Sequence, residues 1–350
     1  MPARPTSRTD DQACISGLAL ANPETAYTQD EVLALLGLTG DEFAQRIFHR
    51  GGIQRRRLDL KPELLGTTLQ GRSSEIEEQL TEYAVRAVEG LGVDPSEIGT
   101  VITSSLYSLG CPTLAHRLAE RMEIDPAADR YHVLGVGCAS AIPLVRLAQQ
   151  SLSGSPGKKA LIVAAESMSG IMMSASDDDP RSKTVASSLF GDGCAAMLLE
   201  PSTAADGPIV LASKVHQIAG TLEAVTLDFS AHDSHLRLIK ELPDVAGKHL
   251  HGLVSDFLAT NDLSAGEIDH WLIHPGGRRI IESVQDALGL ADEHVRISFE
   301  VLANHGNVGT PSIFYVMHRT IEQRDLSPGE HGLMVTIGPG VSVGLMLLRW

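Results

Sequence analysis

Val133-Leu-Gly-Val-Gly-Cys-Ala-Ser-Ala-Ile-Pro143 reads as an apolar strand, a glycine turn, a cysteine and the small residues that open a helix. The pattern continues outward in both directions. Residues 144–152 keep helical periodicity, Ser153-Gly-Ser-Pro-Gly157 breaks it, and 160–165 is a continuous apolar run of the kind found in strands buried on both faces. Upstream, residues 75–92 repeat apolar positions at helical spacing, Asp94-Pro-Ser-Glu97 supplies turn and capping chemistry, and an apolar strand follows at 100–105. Nearer the N-terminus, 14–20 reads as a strand and 28–50 as helical. Strands alternating with helices predict a layered α/β sandwich.

The same order returns downstream as a helix over 248–259, a turn segment over 261–268 and a strand over 271–273. Each copy also closes on a glycine turn and an apolar strand: Gly191-Asp-Gly193 before 194–199, and Gly338-Pro-Gly340 before 341–348. A chain of 350 residues with 43% hydrophobic content passes the roughly 250 to 300 residues at which single cores stop growing. Two fused halves are therefore expected, 1–205 and 206–350, joined in the turn-rich stretch 201–208.

A net charge of −16 gives no electrostatic reason to bind nucleic acid or anionic lipid, which attract basic surfaces. Small molecules and a second copy of the chain are the expected partners. No run approaches the roughly 20 apolar residues of a membrane span. The opening Met1-Pro-Ala-Arg-Pro-Thr-Ser-Arg-Thr-Asp10 reads as a mobile tail without the apolar stretch of a signal peptide, so a cytoplasmic location is expected. Cys14, Cys111, Cys138 and Cys194 lie in separate segments without CxxC spacing, suggesting neither a disulfide framework nor a zinc cage.

Three residues stand where chemistry is done. Cys138, at a strand-to-helix glycine turn, is placed where helix N–H groups lower a thiol's pKa and glycines let substrate approach; a buried structural cysteine is the competing reading. His274 ends the strand Trp271-Leu-Ile-His274 and precedes Pro275-Gly-Gly277-Arg-Arg279, facing the crevice where α/β proteins bind ligands; the alternative is a hydrogen-bonded core histidine. Asn307 sits in Asn304-His-Gly-Asn-Val-Gly309, where a turn-forming asparagine is the plain alternative.

Taken together, Gly137-Cys-Ala139, Leu189-Phe-Gly-Asp-Gly193, His274-Pro-Gly-Gly277, His305-Gly-Asn307 and Gly338-Pro-Gly340 resemble the type III polyketide synthases. These are the chalcone-synthase-like condensing enzymes of the thiolase superfamily. The resemblance covers nearly the whole chain, and order and spacing carry it. It implies the five-layered α-β-α-β-α thiolase fold of two duplicated halves, and a homodimer. It implies that Cys138 takes an acyl chain from an acyl-CoA starter, while His274 and Asn307 donate hydrogen bonds to the thioester carbonyl as a malonyl-CoA-type extender loses carbon dioxide. Fixed donors to an enolate oxygen are worth roughly 3 to 4 kcal/mol each, and His274 beside Cys138 would keep the sulfur ionised. Coenzyme A thioesters are the substrates, and no metal or prosthetic group is required.

By the same resemblance Phe190 is an aromatic gate, Gly276 and Gly277 belong to the substrate site, and Arg46 and Arg50 meet the phosphates of coenzyme A. Arginines four apart share a helix face, and their forks suit phosphate oxygens; an ordinary solvated face is the plain alternative. Three departures concern the chamber wall. Leu236 stands where chalcone synthases have a second gating phenylalanine, Gly309 where a cyclisation-associated serine stands, and Cys111 where a methionine often reaches across the dimer. Naphthalene-forming bacterial members carry a second cysteine at the position of Leu106, which argues against a tetrahydroxynaphthalene product.

Gly135-Val-Gly-Cys-Ala-Ser140 lacks the third glycine of a dinucleotide fingerprint. His232/His235 and His249/His251 have no clustered carboxylates or cysteines and read as surface histidines. Asp177-Asp-Asp-Pro180 reads as a solvated loop, and Glu166 as a buried polar residue with a structural partner. The rival activities are a single condensation by a ketoacyl carrier-protein synthase III and hydrolysis by a cysteine hydrolase. A catalytically inactive thiolase-fold scaffold is the rival of another class.

Overall fold

The computed structural model describes residues 12–173, 180–203, 207–229 and 234–350. The expected mobile tail, most of the Asp177-to-Pro180 loop, His232 and part of the 201–208 join lie outside the described residues.

The first elements are β1 (Ala13–Ala21), β2 (Ala26–Thr28), α1 (Gln29–Leu35), α2 (Glu42–Arg50), β3 (Arg55–Arg57) and α3 (Leu69–Glu89). Then come β4 (Ile98–Ser104), α4 (Leu114–Arg121), β5 (Asp129–Val133), α5 (Ala141–Leu152), β6 (Lys159–Glu166), α6 (Ser169–Met172), α7 (Pro180–Leu189) and β7 (Gly193–Pro201). They are followed by β8 (Ile209–Gln217), β9 (Val225–Phe229), β10 (Ser234–Leu238), α8 (Leu242–Thr260), β11 (His270–Ile273) and α9 (Arg278–Leu288). The chain finishes with α10 (Asp292–His305), α11 (Pro311–Gln323), β12 (His331–Gly338) and β13 (Ser342–Arg349).

The single helix expected over 28–50 is two helices. Gly37 takes the left-handed conformation at φ +68° just after α1, which glycine alone does without a Cβ penalty. Asp41 then starts α2 by accepting from the Ala44 N–H at 2.9 Å. The helix expected over 75–92 begins earlier, at Leu69, behind a Thr68 cap that accepts from the Gly71 N–H.

The strands form one hydrogen-bonded order, β11-β12-β13-β8-β1-β7-β6-β4-β5. It divides naturally in the middle, because β1 meets β8 over only two residue pairs. On one side β4 pairs parallel with β6, β6 antiparallel with β7, and β7 antiparallel with β1. On the other, β11 pairs parallel with β12, β12 antiparallel with β13, and β13 antiparallel with β8. The second set repeats the first, except that β5, parallel to β4 on the first side, has no counterpart.

Alternation along the buried strands assigns the layers, because successive side chains leave opposite faces. Ile162, Ala164, Met197, Met334 and Met346 point inward and pack on Leu144, Val145, Phe314 and Val316 of α5 and α11. Leu161, Val163 and Leu198 point the other way, onto Leu80, Ala84 and Leu118 of α3 and α4. Leu333, Val335, Leu345 and Leu347 likewise cover Leu250, Val254 and Val284 of α8 and α9. The result is the five-layered α-β-α-β-α thiolase fold, with α5 and α11 as the shared central layer.

Candidate active site

Cys138 occupies a single 3-10 turn, Gly137–Ala139, between the end of β5 and the start of α5. Loops from the other sheet hold that turn. The Thr310 hydroxyl donates to the Gly137 carbonyl at 2.9 Å. Gly338 lies so close that a Cβ there would stand 2.6 Å from the Ala139 nitrogen. The closing Gly338-Pro-Gly340 turn is therefore the seat of the cysteine turn.

Asn307 follows α10, whose end at His305 is turned by Gly306 at φ +67°. Its N–H donates to the Leu189 carbonyl at 2.9 Å, and its carbonyl accepts from the Gly191 N–H at 3.0 Å. Asn307 and Phe190 thus form a parallel bridge, and the Leu189-to-Gly193 motif directly clamps the asparagine turn. The Asn307 Oδ1 accepts from the Gly309 N–H at 2.8 Å, which leaves the NH2 free to donate. It donates to the Gly276 carbonyl at 3.2 Å, and the same side chain favours the ionised form of the Cys138 thiol.

His274 directly follows the last residue of β11 rather than ending the strand, and is 1% exposed, with its N–H donating to the Val335 carbonyl. Neither ring nitrogen has a hydrogen-bond partner among the described residues. Gly276, which accepts from Asn307, also touches this ring: a Cβ there would stand 3.3 Å from His274 Cδ2 and 3.5 Å from Nε2. Gly277 opens α9. Residues 138, 274 and 307, far apart in sequence, are so gathered through Gly137, Gly276 and Thr310.

The electrostatics depart from the sequence expectation. Burial pushes the Cys138 thiol up to about 12, Glu166 adds to the rise, and the Asn307 side chain works against it. Burial also depresses His274 to about 3, so its ring is neutral near pH 7. Both shifts favour a thiol beside an imidazole over a thiolate beside an imidazolium. The reason is that desolvation disfavours both charged forms and outweighs the helix dipole, since Cys138 sits ahead of the first residue of α5, Ala141.

Phe190 is buried, and Leu236 on β10 packs in the same apolar cluster with Leu106, Tyr107 and Met168. Cys111 is exposed and stands outside that cluster. Its loop is held by Glu77, which accepts from the Ser108 hydroxyl and the Gly110 N–H, each at 2.9 Å. Arg46 and Arg50 are exposed on α2. His249 and His251 are exposed on α8, and His235 is half-buried on β10.

Glu166 is more than the structurally partnered residue expected. Its Oε2 accepts from the Leu106 N–H at 2.9 Å, but its buried Oε1 has no partner among the described residues. Burial raises the carboxyl to about 8. Gly309, at φ +69°, packs against it, 3.1 Å from Glu166 Cγ for an added Cβ. Ser312, whose hydroxyl accepts from the Val308 N–H at 2.7 Å in the asparagine turn, and Thr310, which holds the cysteine turn, were not singled out by sequence.

Residues 23–261 match the family model described as FAE1/type III polyketide synthase-like protein. The chain belongs to that family. Residues 258–350 of this type III polyketide synthase-like chain match the C-terminal domain of 3-oxoacyl-[acyl-carrier-protein] synthase III. It is 29% identical to 3,5-dihydroxyphenylacetyl-CoA synthase of Streptomyces toyocaensis, covering 96% of this chain and 90% of the relative. It is 30% identical to 1,3,6,8-tetrahydroxynaphthalene synthase of Streptomyces peucetius subsp. caesius, over 75% of this chain and 70% of that protein. Among solved structures, PKS-I from the brown alga Ectocarpus siliculosus superposes with a TM-score of 0.87 at 25% identity, covering 97% and 98% of the two chains. Membership makes this polyketide synthase an acyltransferase that condenses acyl units.

Proposed function

We propose that Cys138 attacks an acyl-CoA starter, holds the acyl group as a thioester, and receives carbon from a malonyl-CoA-type extender. The observation that carries this reading is the meeting of three turns: the Gly276 carbonyl accepts from the Asn307 NH2, Gly276 packs against the His274 ring, and Thr310 ties the asparagine loop to the Cys138 turn.

Loading begins from a neutral thiol. His274, neutral and without a ring partner, accepts the Cys138 proton as the sulfur bonds to the starter carbonyl and coenzyme A leaves as its thiol, taking a proton. In the next step malonyl-CoA loses carbon dioxide, and its thioester oxygen gathers enolate charge. The Asn307 NH2 and a ring N–H of His274 are the donors for that oxygen, and Asn307 never competes for protons. The enolate carbon then attacks the Cys138 thioester, and the sulfur leaves as the chain passes to the extender's coenzyme A.

Phe190 and Leu236 shape the chamber, with Gly309 leaving room beside Glu166, and Gly276 and Gly277 giving backbone access. Arg46 and Arg50 grip the coenzyme A phosphates. Leu106 argues against a naphthalene product. The chemistry uses coenzyme A thioesters and needs no metal or prosthetic group. The halves 1–205 and 206–350 each supply part of the site. A homodimer is supported by β5, an edge strand of the sheet with Tyr131 exposed, beside exposed Leu134 and Leu109, because an open edge is a template for pairing. Cys111 lies in the adjoining loop, where it can reach a partner's chamber. A cytoplasmic location fits a chain in which no described helix is long and apolar enough to cross a membrane.

The test separates the two half-reactions. Asn307→Ala and His274→Gln should each slow malonyl-CoA decarboxylation about a hundredfold or more, with Asn307→Ala leaving acyl loading of Cys138 within a few-fold. Equal losses in loading and decarboxylation for Asn307→Ala would refute the division of labour.

A further inference from the structure

Arg56 is fully buried, the middle arginine of Arg55-Arg-Arg57 on β3. Its Nη1 donates to the Phe190 carbonyl at 2.6 Å, while Nε and Nη2 have no hydrogen-bond partner among the described residues. The guanidinium lies 5.6 Å from the Phe48 ring centre. A buried cation with a single hydrogen bond is costly, so its position calls for a reason beyond packing.

The reason lies at the crossing of two segments. Residues 189–191 run beside 305–307 through the Leu189, Phe190 and Gly191 contacts to Asn307. The Arg56 side chain lies across both: added Cβ atoms at Gly191 and Gly306 would meet its Cβ at 3.5 Å and its Cδ at 3.4 Å. The neighbouring β3 groups hold the same element, with the Gln54 N–H donating to the Ala303 carbonyl at 2.8 Å and Arg55 Nε to Asn304 Oδ1 at 3.1 Å.

The carbonyls that leave α7 are shared out among distinct donors. Gln29 Nε2 takes Ser188 at 2.9 Å, the Asn307 N–H takes Leu189 at 2.9 Å, and Arg56 takes Phe190. A helix C-terminus carries partial negative charge and favours a cation, and Asp192 adds its own attraction, so that Arg56, lowered by burial to about 9, keeps its proton at neutral pH. We infer that Arg56 is a positioning residue for Asn307 and Phe190. Its charged fork pins the end of α7, and the bridge between the two segments passes that constraint to the asparagine amide.

This rests on the reading of Asn307 as the enolate donor, and the experiment separates the two. Malonyl-CoA decarboxylation and acyl loading of Cys138 are measured side by side in Arg56→Met, Arg56→Lys and Asn307→Ala, with circular dichroism to establish folding. Arg56 touches no substrate, so Arg56→Met should lower the decarboxylation kcat at least tenfold with malonyl-CoA KM and acyl loading changed less than threefold. Arg56→Lys, which keeps the charge, should recover part of that loss. If Asn307→Ala decarboxylates normally, the reading of Asn307 fails. If Asn307→Ala is impaired while folded Arg56→Met keeps the wild-type ratio of decarboxylation to loading, loses both equally, or does no worse than Arg56→Lys, the role of Arg56 is overturned. Should Arg56→Met not fold, the ratio in Arg56→Lys decides: a selective fall in decarboxylation upholds the assignment and an unchanged ratio overturns it.

Discussion

Replacing Gly191 by alanine tests how tightly the gate motif clamps the asparagine turn. A Cβ at position 191 would stand 2.3 Å from the His305 carbonyl oxygen, whereas contacts of that kind stay beyond 3.0 Å. The two segments must therefore part by the difference, 0.7 Å. Because the colliding atom is backbone, no flexible side chain can give way. Overpacking of this sort costs about 1 to 3 kcal/mol of stability. The displaced segment is the one that holds Asn307 through the Leu189 carbonyl and the Gly191 N–H. A misplacement of about 1 Å costs roughly a hundredfold in rate, so the smaller shift here should cost about ten- to fiftyfold in decarboxylation. The assay follows malonyl-CoA decarboxylation by chromatography of the coenzyme A products, beside a thermal melt. A variant with the wild-type melting midpoint and wild-type decarboxylation would refute the argument that this crossing sets the site.

Two further outcomes follow from the site. Because burial holds the Cys138 thiol near 12 and deprotonation increases with pH, alkylation of Cys138 by iodoacetamide in the absence of substrate should rise steadily from pH 6 to 9; a plateau across that range would show a resting thiolate. Because Leu236 packs in the cluster that holds Phe190, Leu236→Phe should narrow the range of starters or shorten products, read by liquid chromatography and mass spectrometry, and an unchanged profile would remove Leu236 from the chamber wall.

Much of the architecture is legible in the sequence because buried parallel strands and their helices write long periodic runs. Residues 160–165 and 271–273 are such runs, and both fall within strands. The elements missed are those without that signature. The apolar strand expected from Val133 onward lies upstream and ends there: β5, Asp-Arg-Tyr-His-Val, is a polar edge strand with no face buried throughout, and α4 follows a turn that masks its start. The split between α1 and α2 turned on Gly37 and Asp41, local signals weaker than the surrounding periodicity.

The site divides in the same way. Strand ends and glycine turns single out Cys138, His274 and Asn307, the residues proposed to react. The protonation state of the thiol is not, since desolvation is a property of all five layers and not of the residues beside Cys138. Nothing in the sequence separates Arg56 from Arg55 and Arg57; only the packing of Phe48, Phe190 and Gly306 around it shows a buried group.

The most direct measurement is intact-protein mass spectrometry of wild type and Cys138→Ala after incubation with a panel of acyl-CoA starters and malonyl-CoA. The account predicts acyl adducts on the wild type alone, localised by peptide mapping to Cys138, with extended products released only by that enzyme. Adducts or products that persist in Cys138→Ala would contradict it.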